Sequence, residues 1–97
     1  MLTKRNVGWF TLLPLSPTCV YLEVPNGILN QMPAEREGGR LGSLRDLCAR
    51  AHNGLPAIDV RMNADINPTC CLIQLPREAT DATVDSLCQL IMENRVK

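Results

Sequence analysis

The first third of the chain combines short extended runs with turns. Residues 7–13 are rich in β-branched and aromatic side chains, and after two prolines the pattern resumes over residues 19–24. Asn26-Gly27 is a strong hairpin signal because both residues tolerate positive φ, so residues 28–32 are predicted to return as a partner strand. The pattern therefore predicts a β-hairpin near the N-terminus.

The hydrophobic period changes to that of a helix at residue 43. Four apolar positions lie at helical spacing: Leu44, Leu47, Cys48 and Ala51. Ser43 is placed to cap the helix, and Asn53-Gly54 is placed to end it. Residues 33–42 carry few apolar side chains and include paired glycines, which predicts a solvated, mobile loop before the helix.

Two strands and a second helix are predicted in the remainder. Residues 57–62 alternate apolar and polar side chains, as a half-buried strand does, and residues 70–75 form a nearly continuous apolar run typical of a central strand. A helix capped by Asp81 or Thr83 follows, with four apolar positions at helical spacing: Val84, Leu87, Cys88 and Ile91. Residues 1–97 are predicted to form a single α+β domain with an N-terminal hairpin, two further short strands and two amphipathic helices.

Composition narrows the possible functions. The 97 residues are 45% hydrophobic but only 3% aromatic, so one core built mainly of aliphatic side chains and thiols is expected. The formal net charge of +0 disfavours both binding of nucleic acid through its phosphates and acidic mimicry of DNA. The longest apolar run near the N-terminus is about half a membrane span. Neither a direct nucleic-acid partner nor a membrane partner is predicted.

Cysteine usage indicates a reducing compartment. The five cysteines are an odd number and lack the spacing of a disulfide framework: Cys19, Cys48, Cys70, Cys71 and Cys88. A bridge between the adjacent Cys70 and Cys71 would strain the backbone. These thiols are expected to be free in a cytoplasm.

One pair of side chains suggests catalysis. Cys48 and His52 stand at i, i+4 on the predicted helix, and a neighbouring imidazole can lower the pKa of a thiol. A small thiol enzyme or redox protein is therefore one hypothesis, and a core thiol beside a histidine at the helix end is the other. The pair lacks an orienting third group and supplies two of the four ligands of a zinc site, so no catalytic residue, metal or cofactor is predicted.

Arginines are the predicted protein-binding residues. Four lie in the loop and the first helix: Arg36, Arg40, Arg45 and Arg50. Arginine favours interfaces because its planar guanidinium forms bidentate bonds and stacks, whereas the alternative is a solvated face balanced by nearby carboxylates. Exposed rings would also anchor a partner, but in a chain with few aromatics Trp9, Phe10 and Tyr21 are predicted to lie in the core.

Asn67-Pro68 lies in a polar connector between two predicted strands. A prolyl isomerase requires an extended, accessible X-Pro segment, so Asn67 and Pro68 are predicted as its docking site. An ordinary trans turn is the alternative interpretation.

The chain as a whole resembles the small anti-RecBCD proteins of temperate phages of enteric bacteria. The resemblance rests on its length, the opening MLTKRNVGWF, the connector NPTCC and the short helical C-terminus. It implies a non-enzymatic protein of the host cytoplasm that binds the RecBCD helicase–nuclease through RecC and alters its Chi-regulated degradation, so that phage DNA survives. It also implies a host peptidyl-prolyl isomerase as a second partner. The alternatives are a thiol protein using Cys48 and His52, or an accessory subunit of another bacterial complex.

Overall fold

The computed structural model describes residues 2–35, 37–62 and 70–96. The described chain begins with three strands, β1 (Arg5–Val7), β2 (Phe10–Ser16) and β3 (Cys19–Pro25). A single helical turn, α1 (Asn26–Leu29), and the longer helix α2 (Gly39–Ala51) follow. Two strands, β4 (Asp59–Met62) and β5 (Cys70–Gln74), precede the last helix, α3 (Asp81–Glu93).

The described strands form one antiparallel sheet in the order β1-β2-β3-β5-β4. β5 lies between β3 and β4, which confirms the prediction that its apolar run forms an interior strand. Ile73 of β5 lies opposite Leu22 on one side and Val60 on the other, so one row of apolar side chains crosses three strands. This row belongs to the core.

One face of the sheet and the helices share a single hydrophobic cluster. The four apolar positions predicted for α3 are all buried in it: Val84, Leu87, Cys88 and Ile91. α2 packs against both α3 and β4. The predicted α+β class is therefore confirmed. No helix in the described ranges has the length and apolar character needed to cross a bilayer.

The predicted hairpin at Asn26-Gly27 is wrong. These two residues begin α1, and neither has a positive φ. Pro25 precedes them as the helix N-cap with φ of −60°, and the helical turn buries Ile28 and Leu29 in the core. The place beside β3 that residues 28–32 were predicted to fill belongs to β5.

The hairpins lie further toward the N-terminus. The run 7–13, predicted as one strand, is interrupted at Gly8, where φ is +59°. Val7 lies opposite Phe10, so Gly8 and Trp9 form a two-residue loop between β1 and β2. Positive φ at the first loop residue alone is the pattern of a type II′ turn, whose twist matches that of the paired strands.

α2 begins at Gly39 rather than at Ser43. Its N-cap, Gly38, is left-handed with φ of +84°, so residues 39–42 of the predicted loop are helical. Ser43 is buried, and its hydroxyl donates to the Pro33 carbonyl at 2.7 Å instead of capping the helix. A Cβ on Gly42 would collide with the Glu37 carbonyl oxygen, so this position requires glycine.

The remaining boundaries differ by one or two residues from prediction. The N-cap of α3 is Thr80, whose hydroxyl accepts from the Thr83 N–H at 3.3 Å while the Thr83 hydroxyl accepts from the Thr80 N–H at 2.8 Å. This reciprocal capping box satisfies two otherwise free amides. β4 spans four residues rather than the predicted six. The predicted end of α2 is confirmed by positive φ at Asn53 and Gly54.

Candidate protein-binding surface

The β1–β2 turn presents the single tryptophan of the chain to solvent. Phe10, the first residue of β2, points into the core and is 2% exposed, whereas Trp9 in the loop is 70% exposed. The predicted burial of Phe10 and Tyr21 is confirmed, but that of Trp9 is wrong. The sequence did contain the relevant signal, because glycine followed by one residue is a common two-residue hairpin loop.

A shallow groove lies between this turn and α3. We call it the Trp9 surface, and its lining is mostly apolar: Val7, Trp9, Phe10, Cys88 and Met92, with Asp85 and Gln89 beside them. Tryptophan is enriched among the residues that contribute most to protein association, particularly where apolar contacts surround it. The surface therefore has the composition of a protein anchor.

Arg5 holds the turn against α3. Its guanidinium lies 3.0 Å from a carboxylate oxygen of Asp81 and 3.0 Å from one of Asp85. The hydrogen bond to Asp85, above all, raises the pKa of Arg5 from its usual value, so the group stays charged. Exposed ion pairs contribute little to stability, so the main consequence is positional. The contacts connect β1, and with it the Trp9 loop, to the first turns of α3.

The arginines of α2 are exposed but do not form one stripe. Arg40, Arg45 and Arg50 follow one another at five-residue spacing, which rotates each by about 140° around the helix from the last. The Arg45 guanidinium donates to the Ala57 carbonyl at 3.3 Å, which ties α2 to the segment before β4. Their role in binding stays a prediction. Arg36, Asn67 and Pro68 lie outside the described residues.

The structure brings Cys48 and His52 together inside the core. Cys48 Sγ lies 3.6 Å from His52 Nδ1, and that nitrogen lies 2.8 Å from the Cys48 carbonyl oxygen. The carbonyl can only accept, so Nδ1 carries a proton and donates it. The other ring nitrogen, Nε2, is buried without a hydrogen-bond partner among the described residues.

Burial raises the pKa of the Cys48 thiol, whereas catalytic activation would require a lowered pKa. The two side chains are 0% and 2% exposed, and desolvation raises the pKa of Cys48 to about 11. An activated thiol is partly exposed and has a lowered pKa. In the folded chain Cys48 is thus a protonated core thiol, and a substrate has no access to it.

Two other buried thiols, those of Cys71 and Cys88, behave in the same way. Burial raises the pKa of both Cys71 and Cys88 to about 12, and none of the five cysteines forms a disulfide. Cys19 alone is partly exposed, and its side chain accepts a weak contact from Gln74 at 3.8 Å. Within the described ranges, His, Cys, Asp and Glu side chains do not converge in a group of three suited to a metal ion.

The sheet face away from the helices carries a cation–π contact. The Arg61 guanidinium lies 5.7 Å from the centre of the Tyr21 ring and donates to its hydroxyl at 3.4 Å. A hydrogen bond with Cys19 raises the pKa of Tyr21. Asp59 lies 3.8 Å from the same guanidinium. Asp59 and Arg61 thus give β4 one negative and one positive charge.

The fold and its exposed tryptophan define a small α+β domain with a candidate protein-binding surface. No protein-family model matches the chain, and no solved structure matches it significantly. The chain is similar to the ribosomal protein uS12 methylthiotransferase RimO of Opitutus terrae, with 36% identity over 80 residues. The similarity covers 77% of this chain, and the chain spans 15% of the length of RimO.

Proposed function

We propose that this protein is a non-enzymatic phage protein that binds the host RecBCD helicase–nuclease at RecC and modulates its Chi-regulated exonuclease activity, protecting phage DNA. The observation that carries the proposal is the exposure of Trp9 beside an apolar groove, because this arrangement suits a protein partner. The resemblance of the whole chain to anti-RecBCD proteins supplies the identity of that partner.

Charge and thiol placement support the same proposal. With ten basic and ten acidic residues, the chain has no excess charge with which to compete for the DNA channel. The buried thiols of Cys48, Cys71 and Cys88 are protonated at neutral pH, so they are poorly placed to react with a partner. Binding without turnover is the mode of action that these features favour.

The proposed contact extends beyond the Trp9 surface. A stable protein interface buries about 800 Å² on each partner, which is roughly one seventh of the 5654 Å² accessible surface of this chain. Arg40, Arg45 and Arg50 of α2 are proposed to contribute, as is Arg36. A host peptidyl-prolyl isomerase is proposed to bind separately at Asn67-Pro68.

Affinity capture of the tagged protein from an enteric bacterial lysate tests the proposal. RecB, RecC and RecD are expected among the recovered proteins, and purified RecBCD is expected to degrade linear duplex DNA differently once the protein is added. The variant Arg40→Ala/Arg45→Ala/Arg50→Ala is expected to weaken capture while remaining folded, because all three side chains are exposed. Unchanged nuclease activity together with no recovery of RecBCD would reject the proposal.

The similarity to RimO favours a second candidate. The name of that relative describes methylthiotransfer to ribosomal protein uS12, so this chain would be part of a protein that acts on uS12. The same capture experiment separates the two candidates. Recovery of uS12 without RecBCD would favour the second, and recovery of RecBCD without uS12 would favour the first.

A further inference from the structure

β4 is an edge strand of the sheet. It neighbours β5 on one side, and no described strand lies beyond it on the other. Two large apolar side chains, Ile58 just before β4 and Met62 at its end, are 52% and 43% exposed, while Val60 between them is buried. An open edge flanked by apolar side chains is a template for pairing with another extended segment.

The hydrogen bonds of β5 determine the direction of the β4 backbone groups. The Leu75 N–H donates to the Val20 carbonyl at 2.9 Å, so the odd-numbered residues of β5 direct their backbone groups toward β3. The even-numbered residues direct theirs toward β4, where they lie opposite Asp59 and Arg61. The even-numbered residues of β4 therefore turn their N–H and C=O groups toward the open edge.

The side chains of this edge complement an antiparallel second copy. When Val60 lies opposite Val60 of the second copy, Asp59 lies opposite Arg61 and Ile58 lies opposite Met62. Each charge then meets an opposite charge, as favourable cross-strand pairs do. A slip by two residues would place Arg61 opposite Arg61 or Asp59 opposite Asp59. A slip by one residue would place side chains from one face of the sheet opposite side chains from the other face.

The same register supplies backbone hydrogen bonds. The two copies of Val60 form a bonded pair in which each N–H donates to the other carbonyl. Each Met62 N–H donates to the Ile58 carbonyl of the second copy. The reverse bond is absent because the Ile58 N–H already donates to the Gln74 carbonyl at 2.8 Å.

We propose that two copies of this chain pair antiparallel along β4 across a two-fold axis, joining their sheets into one. The alternation of Asp59 and Arg61 selects the register, and Ile58 and Met62 are covered by the pairing. Arg61 keeps its contact with Tyr21, because both lie on the sheet face opposite Val60. A four-residue edge buries less than the roughly 1,600 Å² of a standard interface, so the dimer is weak, with a Kd of about 10 µM or above.

Sedimentation equilibrium of the full chain between about 1 µM and about 1 mM tests this proposal. The wild-type chain is expected to pass from monomer to dimer over that range. Asp59→Arg and Arg61→Asp each oppose like charges across the two-fold axis, so each is expected to weaken self-association at least tenfold. An equimolar mixture of the two variants opposes unlike charges at both positions and is expected to recover association. Arg77→Asp, the same charge change at an exposed residue outside β4, is the matched control.

The outcomes separate this edge from any other surface. A wild-type chain that stays monomeric throughout, or self-association unaffected by either reversal, would overturn the proposal. So would a monomer whose β4 amides become protected only on adding RecBCD, because a partner segment would then occupy the edge. If a single variant fails to fold by circular dichroism, the double variant Asp59→Arg/Arg61→Asp keeps the complementarity and is expected to dimerise like wild type.

Discussion

The end of α2 and the β1–β2 turn place their functional side chains in opposite environments. At the end of α2, Cys48 and His52 are packed inside the core, and the thiol keeps its proton. At the β1–β2 turn, Trp9 lies in solvent although Phe10 beside it is buried. The Cys48–His52 pair is thus enclosed, and the largest apolar side chain of the chain is available for contact. The contrast teaches that the surface, rather than the interior, carries the function we propose.

Alkaline pH gives the largest expected effect and tests whether the thiols are enclosed. The folded pKa values of about 11 for Cys48 and about 12 for Cys71 and Cys88 exceed the ordinary value of 9.0. Their contribution to stability is therefore complete below pH 9 and is lost as the pH rises through 11 to 12. Between these limits each thiol lowers the free energy of unfolding by about 1.4 kcal/mol per pH unit.

Urea unfolding from pH 8 upward measures this slope. Cys88→Ala is the control, and it should reduce the slope above pH 9 by about a third, because one of three similar thiols is removed. A free energy that does not change between pH 9 and pH 10.5 in the wild-type chain would show that the thiols are open to solvent.

Truncation of a core leucine is expected to cause the next largest loss in the free energy of unfolding. Leu87→Ala removes a side chain that is 0% exposed and is expected to lower the free energy of unfolding by about 3 kcal/mol. Leu15→Ala removes the same atoms from a side chain that is 70% exposed, and a change below about 0.5 kcal/mol is expected. Similar losses in the two variants by denaturant titration would mean that the core is assigned incorrectly.

Gly42 lies at a crowded position, whereas Gly27 lies at an open one. Gly42→Ala brings a Cβ against the Glu37 carbonyl oxygen, and a loss of about 2 kcal/mol is expected despite the higher helix propensity of alanine. Gly27→Ala meets no atom within 4 Å, so its free energy of unfolding should stay within about 1 kcal/mol of wild type. Thermal unfolding compares the pair, and equal stability of both variants would contradict the close approach at the start of α2.

Replacement of the exposed Trp9 ring is expected to have the smallest effect on the free energy of unfolding. Trp9→Ser should change the free energy of unfolding by less than about 0.5 kcal/mol, because the side chain is 70% exposed in a turn. Chemical denaturation of the variant checks this value. A loss of 2 kcal/mol or more would indicate that the ring is part of the core, as its residue type alone had suggested.

Local patterns predicted the elements that depend on local spacing. α3 follows from its four apolar positions and β5 from its apolar run, and both are confirmed. The Asn26-Gly27 prediction failed because pairing between β3 and β5, which are distant in sequence, took the position that a local hairpin would have filled. The sequence of residues 26–32 does not reveal this competition, because the competing strand β5 is distant along the chain.

The candidate site was harder to predict than the fold. The spacing of Cys48 and His52 correctly placed them together, but their enclosure depends on packing from other elements. Trp9 was predicted to lie in the core because the chain has few aromatic residues, and one turn at Gly8 places it in solvent instead. The proposed isomerase contact at Asn67-Pro68 stays a prediction.

Binding of purified RecBCD to three variants tests the central claim most directly. Trp9→Ser is expected to weaken binding at least tenfold, equivalent to about 1.4 kcal/mol. Leu15→Ser, which alters an equally exposed side chain, and Cys48→Ala, which alters the enclosed thiol, are expected to bind like wild type. Full binding by Trp9→Ser together with loss of binding by a folded Cys48→Ala would contradict the account, because the function would then reside in the interior.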